Sequence, residues 1–507
     1  MVRGALHGQS GKGGLVLVPE WTSTVAAPRL ARLLGPQCLS APGPAYRSLA
    51  GGIRLLVAEG RLPVGTRLPA ERELAAALAV SRTTVAAAFE ALRGEGYLAS
   101  RRGAGSWTAL PEGHPVPTAG LRPLSAEQAA RMIDLGTASL PAPQPWMTRA
   151  TREAVEDLGA YCGAHGHYQA GLPALREALA ARFTGRGVPT MPEQILVTGG
   201  GAMSALGLVF RMLIGQADRV AVEAPSYANV LMMLERAGAR RVPVGICARG
   251  WDLEAWRRVL RDAVPRLAYV VPDFQNPTGV LVGEEQRREL VGQARAAGTV
   301  VVADETMVDL AMEPGLRMPR PMAAFDRGGS TVVTVGSAGK VFWGGLRIGW
   351  VRASPSLVRR MAAERTYVDL GTPVLEQLVT LRLLTRYREE VTRFQCERVR
   401  GNRDALVAAL RRTLPRWEFT VPSGGLTLWV RTDGVSGPRL AVAGERVGVM
   451  VASGPRFGVD GAFEPYLRLP LTVGEEVSGE AVARLAAAAR MVQAGGAADV
   501  EGEVFVA

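Results

Sequence analysis

Lysine is nearly missing from this chain of 507 residues. Among 59 basic residues only Lys12 and Lys340 are lysines, and the other 57 are arginines. Cysteine is also scarce: Cys38, Cys162, Cys247 and Cys396 stand far apart, with no C-x-x-C pair. That spacing excludes a disulfide scaffold and reads as four reduced thiols. The four histidines show no metal-ligand spacing, so a zinc centre is not expected. No apolar run approaches the roughly 18 residues of a membrane helix. Met1-Val2-Arg3-Gly4 leads into no apolar segment of a secretion signal. A cytoplasmic chain without membrane contact is the expectation.

What is present is size and positive charge. The length suggests two or more domains. A net charge of +12 permits binding to nucleic acid without proving it. Composition and punctuation divide the chain into an extension (1–23), a basic unit (24–110), a proline-rich linker (111–131), an α/β domain (132–495) and a tail (496–507). From Tyr46 to Leu110 nine arginines face five glutamates. Beyond about Met132, helices alternate with apolar strand candidates at Ile195–Thr198, Val220–Glu223, Ala268–Val271, Val300–Ala303 and Val332–Val335. This alternation predicts an α/β sheet domain. A smaller α+β portion containing Leu426–Val430 and Tyr466–Leu469 follows it.

Within the basic unit, Leu74 and Leu78 lie one turn apart on a short helix, and Val80 fills the turn. Ser81 then caps a second helix whose Val85, Ala88, Phe89 and Leu92 form an apolar stripe. Two short helices joined by a brief turn make a helix-turn-helix. Ser81-Arg82-Thr83-Thr84 opens the second helix away from that stripe, where a recognition helix meets base edges. Arg82 suits bidentate contact with guanine, and the hydroxyls and free N–H groups suit phosphate. Tyr97 to Thr108 reads as a hairpin with Arg101 and Arg102 at its tip, a wing suited to phosphate or the minor groove. Gly65 to Ala75 together with Val80 to Val85 resembles the DNA-binding domain of the GntR family. The resemblance implies DNA contacts by Arg72, Ser81, Arg82, Thr83, Thr84, Arg102 and Gly103.

The second lysine needs a chemical reason, because arginine can neither lose its proton nor bond covalently to an aldehyde. Lys340 follows the strand Thr331–Val335, with Ser337 and Arg347 near in sequence to hold a phosphate. Asp304 ends another strand and suits a protonated pyridine nitrogen. Asn276, in Gln275-Asn276-Pro277-Thr278-Gly279, suits a phenolate oxygen, and Tyr227 suits stacking on a ring. Gly199-Gly200-Gly201-Ala202 precedes an apolar helix and offers backbone N–H groups to phosphate.

Together these residues resemble fold-type I pyridoxal-phosphate enzymes of the class I aminotransferase kind. The resemblance implies a covalent cofactor lysine at Lys340, a pyridine partner at Asp304, a phenolate ligand at Asn276 and a stacking ring at Tyr227. It implies a phosphate site of Ser337, Arg347, Gly201 and Ala202, and an arginine for an α-carboxylate at Arg468. Three positions depart from the pattern. Gly339 stands where serine is usual, Thr306 where a tyrosine is usual, and His167 where a tyrosine reaches the partner subunit's phosphate. Tyr168, one residue later, is the candidate for that last role.

The fusion resembles the MocR-type regulators within the GntR family. The expected molecule is multidomain: a winged helix-turn-helix, then an α/β aminotransferase-like domain with a small C-terminal α+β portion. The expected function is a pyridoxal-phosphate-responsive regulator and not an enzyme. It would be a homodimer on a double-stranded DNA operator, with an amino compound as effector. The alternatives are an active aminotransferase and a regulator that has lost the cofactor and senses another ligand.

Overall fold

The computed structural model describes residues 23–35, 38–39, 43–101, 105–111 and 126–494. The described residues fall into two units, one before and one after residue 118.

The first unit packs helices α1 (Ala27–Leu34), α2 (Ala45–Ala58), α3 (Glu71–Leu78) and α4 (Arg82–Gly94) with hairpin strands β1 (Leu98–Arg101) and β2 (Gly105–Thr108). Its core joins Leu49, Ile53, Leu56 and Val57 of α2 to Leu74 of α3 and to Val85, Ala88, Phe89 and Leu92 of α4. The four α4 residues are the stripe that its period predicts. Ala79 ends α3 in the left-handed region at φ 53°. That reversal lets the Val80 N–H reach the Ala75 carbonyl at 3.0 Å and turns Val80 onto the core. β1 and β2 pair antiparallel, Leu98 opposite Thr108 and Arg101 opposite Gly105.

The second unit holds two sheets. The larger contains β4 (Ile195–Thr198), β5 (Arg219–Ala224), β6 (Arg240–Cys247), β7 (Gly250–Trp251), β8 (Leu267–Val270), β9 (Val300–Asp304), β10 (Val332–Ser337) and β11 (Gly349–Arg352). Its order is β4-β11-β10-β9-β8-β5-β6-β7. Strands β10, β9, β8, β5 and β6 run parallel, while β11 runs antiparallel to both β10 and β4. β4 therefore points the same way as the parallel set, so its carboxyl end shares an edge with theirs. In open α/β sheets that edge is where ligands bind. Apart from the border strand β6, the strands are mostly buried on both faces, consistent with helices packing on either side. The smaller sheet has the order β12-β13-β15-β14-β3, from β3 (Ile133–Leu135), β12 (Glu418–Phe419), β13 (Thr427–Arg431), β14 (Val449–Ser453) and β15 (Tyr466–Pro470). Among the described residues no single helix is long and apolar enough to cross a membrane.

Candidate functional site

The DNA-facing candidates gather at the start of α4. The Ser81 hydroxyl accepts the Thr84 N–H at 3.0 Å and bonds the hydroxyls of Thr83 and Thr84 at 2.7 Å each. This caps the helix and leaves Ser81, Arg82 and Thr83 exposed at its tip. Arg72 is exposed on α3. Arg82 donates to Glu71 at 3.2 Å, a partner that the sequence did not suggest. Arg102 and Gly103 lie outside the described residues.

The cofactor candidates gather at the carboxyl edge of the large sheet. Ser337 on β10 pairs with Gly349 on β11, and Gly349 pairs with Thr198 on β4. Three strand ends thus lie side by side, and the helix Gly201–Leu213 starts above them. Gly201 takes φ 68°, and its N–H donates to the Arg347 carbonyl at 2.7 Å. A Cβ on Gly349 would come within 2.4 Å of the Gly201 carbonyl carbon, so this close approach requires glycine. The Arg347 guanidinium donates to the carbonyls of Gly200 and Gly344, and no carboxylate among the described residues pairs with it. A helix N-terminus and an unpaired guanidinium together form an anion cradle. The Ser337 hydroxyl accepts the Gly339 N–H at 3.0 Å and donates to the Ile348 carbonyl at 3.3 Å.

Asp304 closes β9 and is buried. Its Oδ2 accepts the Tyr269 hydroxyl at 2.8 Å and its Oδ1 accepts the Thr306 N–H at 3.0 Å. Burial raises its carboxyl above the usual range, while the bonds from Thr306 and Tyr269 and the nearby Lys340 charge oppose that rise. Such a carboxylate favours a cation or proton beside it. Lys340 lies close to Asp304, Arg347 and Arg468. Burial, with repulsion from the two guanidiniums, pushes its ammonium down to about 8 despite Asp304. Asn276 is buried, and its Oδ1 has no partner. Tyr227 immediately precedes the helix Ala228–Arg236, and burial raises its hydroxyl, with Arg468, Asp304 and Arg347 all near enough to act on it. An amine, a carboxylate, a buried amide whose N–H₂ could donate to a phenolate oxygen and an anion cradle on one edge fit the donor set that pyridoxal phosphate requires.

Arg468 reaches this place from β15 of the smaller sheet. It is 1% exposed, lies over the Phe457 ring with its Cζ 5.4 Å from the centroid, and leaves Nε unpartnered. Burial brings its guanidinium down to about 10. It donates to the Gly136 carbonyl, and Lys340 Nζ donates to the Ala138 carbonyl at 2.8 Å. Asp134 Oδ1 holds the N–H groups of Gly136 and Thr137 at 2.7 and 2.8 Å. Tyr168 stands apart from these bonds, its half-buried ring edge-on to Tyr161 at 6.0 Å. Sequence reasoning missed Tyr269, whose only signal is a hydroxyl inside the apolar run Leu267–Val271. It also missed the segment Gly136–Ala138.

Comparison with known proteins agrees with this geometry. Residues 131–485 match the family "Aminotransferase class I and II", and residues 45–107 match "Bacterial regulatory proteins, gntR family". The chain belongs to the class I and II aminotransferase family and carries a gntR-family helix-turn-helix ahead of that domain. This combination places it with the MocR-type transcriptional regulators. It is 28% identical over 417 residues to the "Uncharacterized HTH-type transcriptional regulator YisV" of Bacillus subtilis, covering 76% of this chain and 84% of that one. It is 33% identical over 340 residues to the "Probable rhizopine catabolism regulatory protein MocR" of Rhizobium meliloti, covering 62% and 66%. Among solved structures it resembles LysN, the α-aminoadipate aminotransferase of Thermus thermophilus, complexed with N-(5'-phosphopyridoxyl)-L-leucine. There the TM-score is 0.65 at 28% identity, over 73% of this chain and 98% of that one.

Proposed function

We propose that this regulator binds pyridoxal 5'-phosphate covalently through Lys340 and responds to an amino compound on that cofactor. The observation that carries the reading is Lys340 itself. It is one of two lysines in the chain, its ammonium is brought down to about 8, and it lies beside the buried Asp304 at the carboxyl edge of the sheet. When bound, pyridoxal phosphate supplies an aldehyde that captures amines and a ring that draws electrons from them. Asp304 would hold a proton at the ring nitrogen, Asn276 would bond the phenolate oxygen, and Tyr227 would cover the ring. Ser337, Arg347 and the N–H groups of Gly201 and Ala202 would take the phosphate, with Tyr168 extending towards a partner subunit. Arg468 would bind the carboxylate of an effector amino compound. Arg72, Ser81, Arg82, Thr83, Thr84, Arg102 and Gly103 would contact a double-stranded operator, and the molecule would act in the cytoplasm as a homodimer. Exposed Tyr367, Val368 and Leu370 support the dimer, because they cluster within four residues beside the Tyr168 loop, where Gly371 packs against the Tyr168 backbone.

The test is borohydride reduction of the purified protein with added cofactor, followed by peptide mass spectrometry. The expected result is a visible absorption band and a phosphopyridoxyl adduct on Lys340. Lys340→Arg keeps the charge and loses the adduct. A wild-type protein without an adduct at Lys340 refutes the reading and favours a regulator that senses another ligand. The retention of Lys340, Asp304, Asn276 and Arg468 also supports a second reading, an active aminotransferase, which turnover measurements decide.

A further inference from the structure

Glu223 stands where β5 should be apolar throughout, one residue from the strand end, and is 1% exposed. Burying a carboxyl without a cation is costly. All three of its hydrogen bonds come from N–H donors: Trp251 Nε1 at 2.6 Å, Gln275 Nε2 at 3.0 Å and the Val271 N–H at 3.2 Å. A residue needed only to fill this space would be aliphatic.

The Gln275 amide shows what the carboxyl does. Its Nε2 donates to Glu223 and to the Pro225 carbonyl at 2.8 Å. Its Oε1 accepts the Thr278 N–H at 3.0 Å and the Thr278 hydroxyl at 2.7 Å. All four hydrogen-bonding positions of the amide are used. Turning it over would set its oxygen against Glu223 and the Pro225 carbonyl and its N–H₂ against the Thr278 N–H. Glu223 therefore fixes which way Gln275 faces. Pro225 lies two residues before Tyr227, and Gln275 is the neighbour of the buried Asn276.

We infer that Glu223 is a positioning residue: through Gln275 it locks together the two loops that present Tyr227 and Asn276 to the cofactor ring. This rests on the cofactor reading above. Burial, with the Asp304 charge nearby, pushes the Glu223 carboxyl up to about 8, and its hydrogen bonds from Gln275, Trp251 and Val271 oppose that rise.

The experiment compares the full-length wild type with Glu223→Gln, Gln275→Met and the double variant. Each is titrated with pyridoxal phosphate, followed by visible absorbance and circular dichroism, and the melting temperature of each cofactor-free protein is recorded. Glu223→Gln turns one N–H acceptor into a donor, and Gln275→Met cuts the link from the loop side. The expected result is a Kd raised about tenfold in each single variant, the size usual for loss of an outer-layer partner. The double variant should be no weaker than the weaker single, because both break one link. The dichroic band of the bound ring should change as well. Wild-type Kd and an unchanged band in the folded variants, even with a lowered melting temperature, would reduce Glu223 to a core residue and overturn the inference. If Glu223→Gln does not fold, Gln275→Met decides the question alone by the same two readouts. A wild type that binds no pyridoxal phosphate overturns the cofactor reading and this inference together, a result visible before any variant is made.

Discussion

At the scale of single residues, the amine of Lys340 must be uncharged before it can add to an aldehyde. Burial, with Arg468 and Arg347 nearby, sets its ionisation at about 8. Its neutral fraction therefore grows with pH below that value and levels off above it. Capture of added pyridoxal phosphate, timed by the growth of its visible band, should quicken about tenfold for each unit of pH well below 8 and flatten above it. A rate that does not change across that interval would contradict the assignment. The strand-end placement of Lys340, Asp304, Asn276 and Tyr227 is legible in the sequence because each follows a strand candidate, and parallel strands bring such ends to one edge. Tyr269 and Glu223 are not legible. Both lie inside apolar runs, and what they face depends on pairing between β5, β8 and β9, far apart along the chain. The N–H of Thr306 serves Asp304, a backbone bond that any residue at this position would supply.

Among elements, α4 makes the clearest claim on DNA, since its first turn is capped by Ser81 and leaves Arg82 in solvent. Arg82→Ala should weaken operator binding by about 1–3 kcal/mol and relax selectivity at one base pair, measured by titration of operator variants. Its thermal unfolding should barely move, because the Arg82–Glu71 pair is exposed and such pairs contribute about 0–1 kcal/mol. Unchanged affinity and selectivity would remove Arg82 from base reading. Five strands of the large sheet could be placed from the sequence to within a residue or two, because each is a mostly apolar run buried on both faces. β6 and β11 escaped. β6 begins Arg240-Arg241 and contains Pro243, which suits a strand near the sheet border but reads as a loop. β11 has four residues and begins at the Gly349 that the close approach to Gly201 demands.

For the molecule as a whole, sustained transamination is not expected. With common amino acids the chain should turn over far below the roughly 1 per second of an ordinary enzyme, because Gly339 and Thr306 bring no hydroxyphenyl or hydroxymethyl group to the cofactor. A steady rate at or above that level would favour the aminotransferase reading. Light scattering of the wild type should give a dimer, and Val368→Glu should shift it towards monomer, since 56% of Val368 is exposed on the single chain. A wild type that is monomeric at every concentration would remove the shared-site view. The two bonds onto the segment after β3 carry a further consequence. Lys340 donates to Ala138 and Arg468 to Gly136, while Asp134 holds the N–H groups of Gly136 and Thr137, so the run that leaves β3 ties the loop after β10 to β15 of the smaller sheet. Each of the two side chains keeps further N–H groups beyond the one given to that run, so it can hold the fold together and still reach a bound molecule.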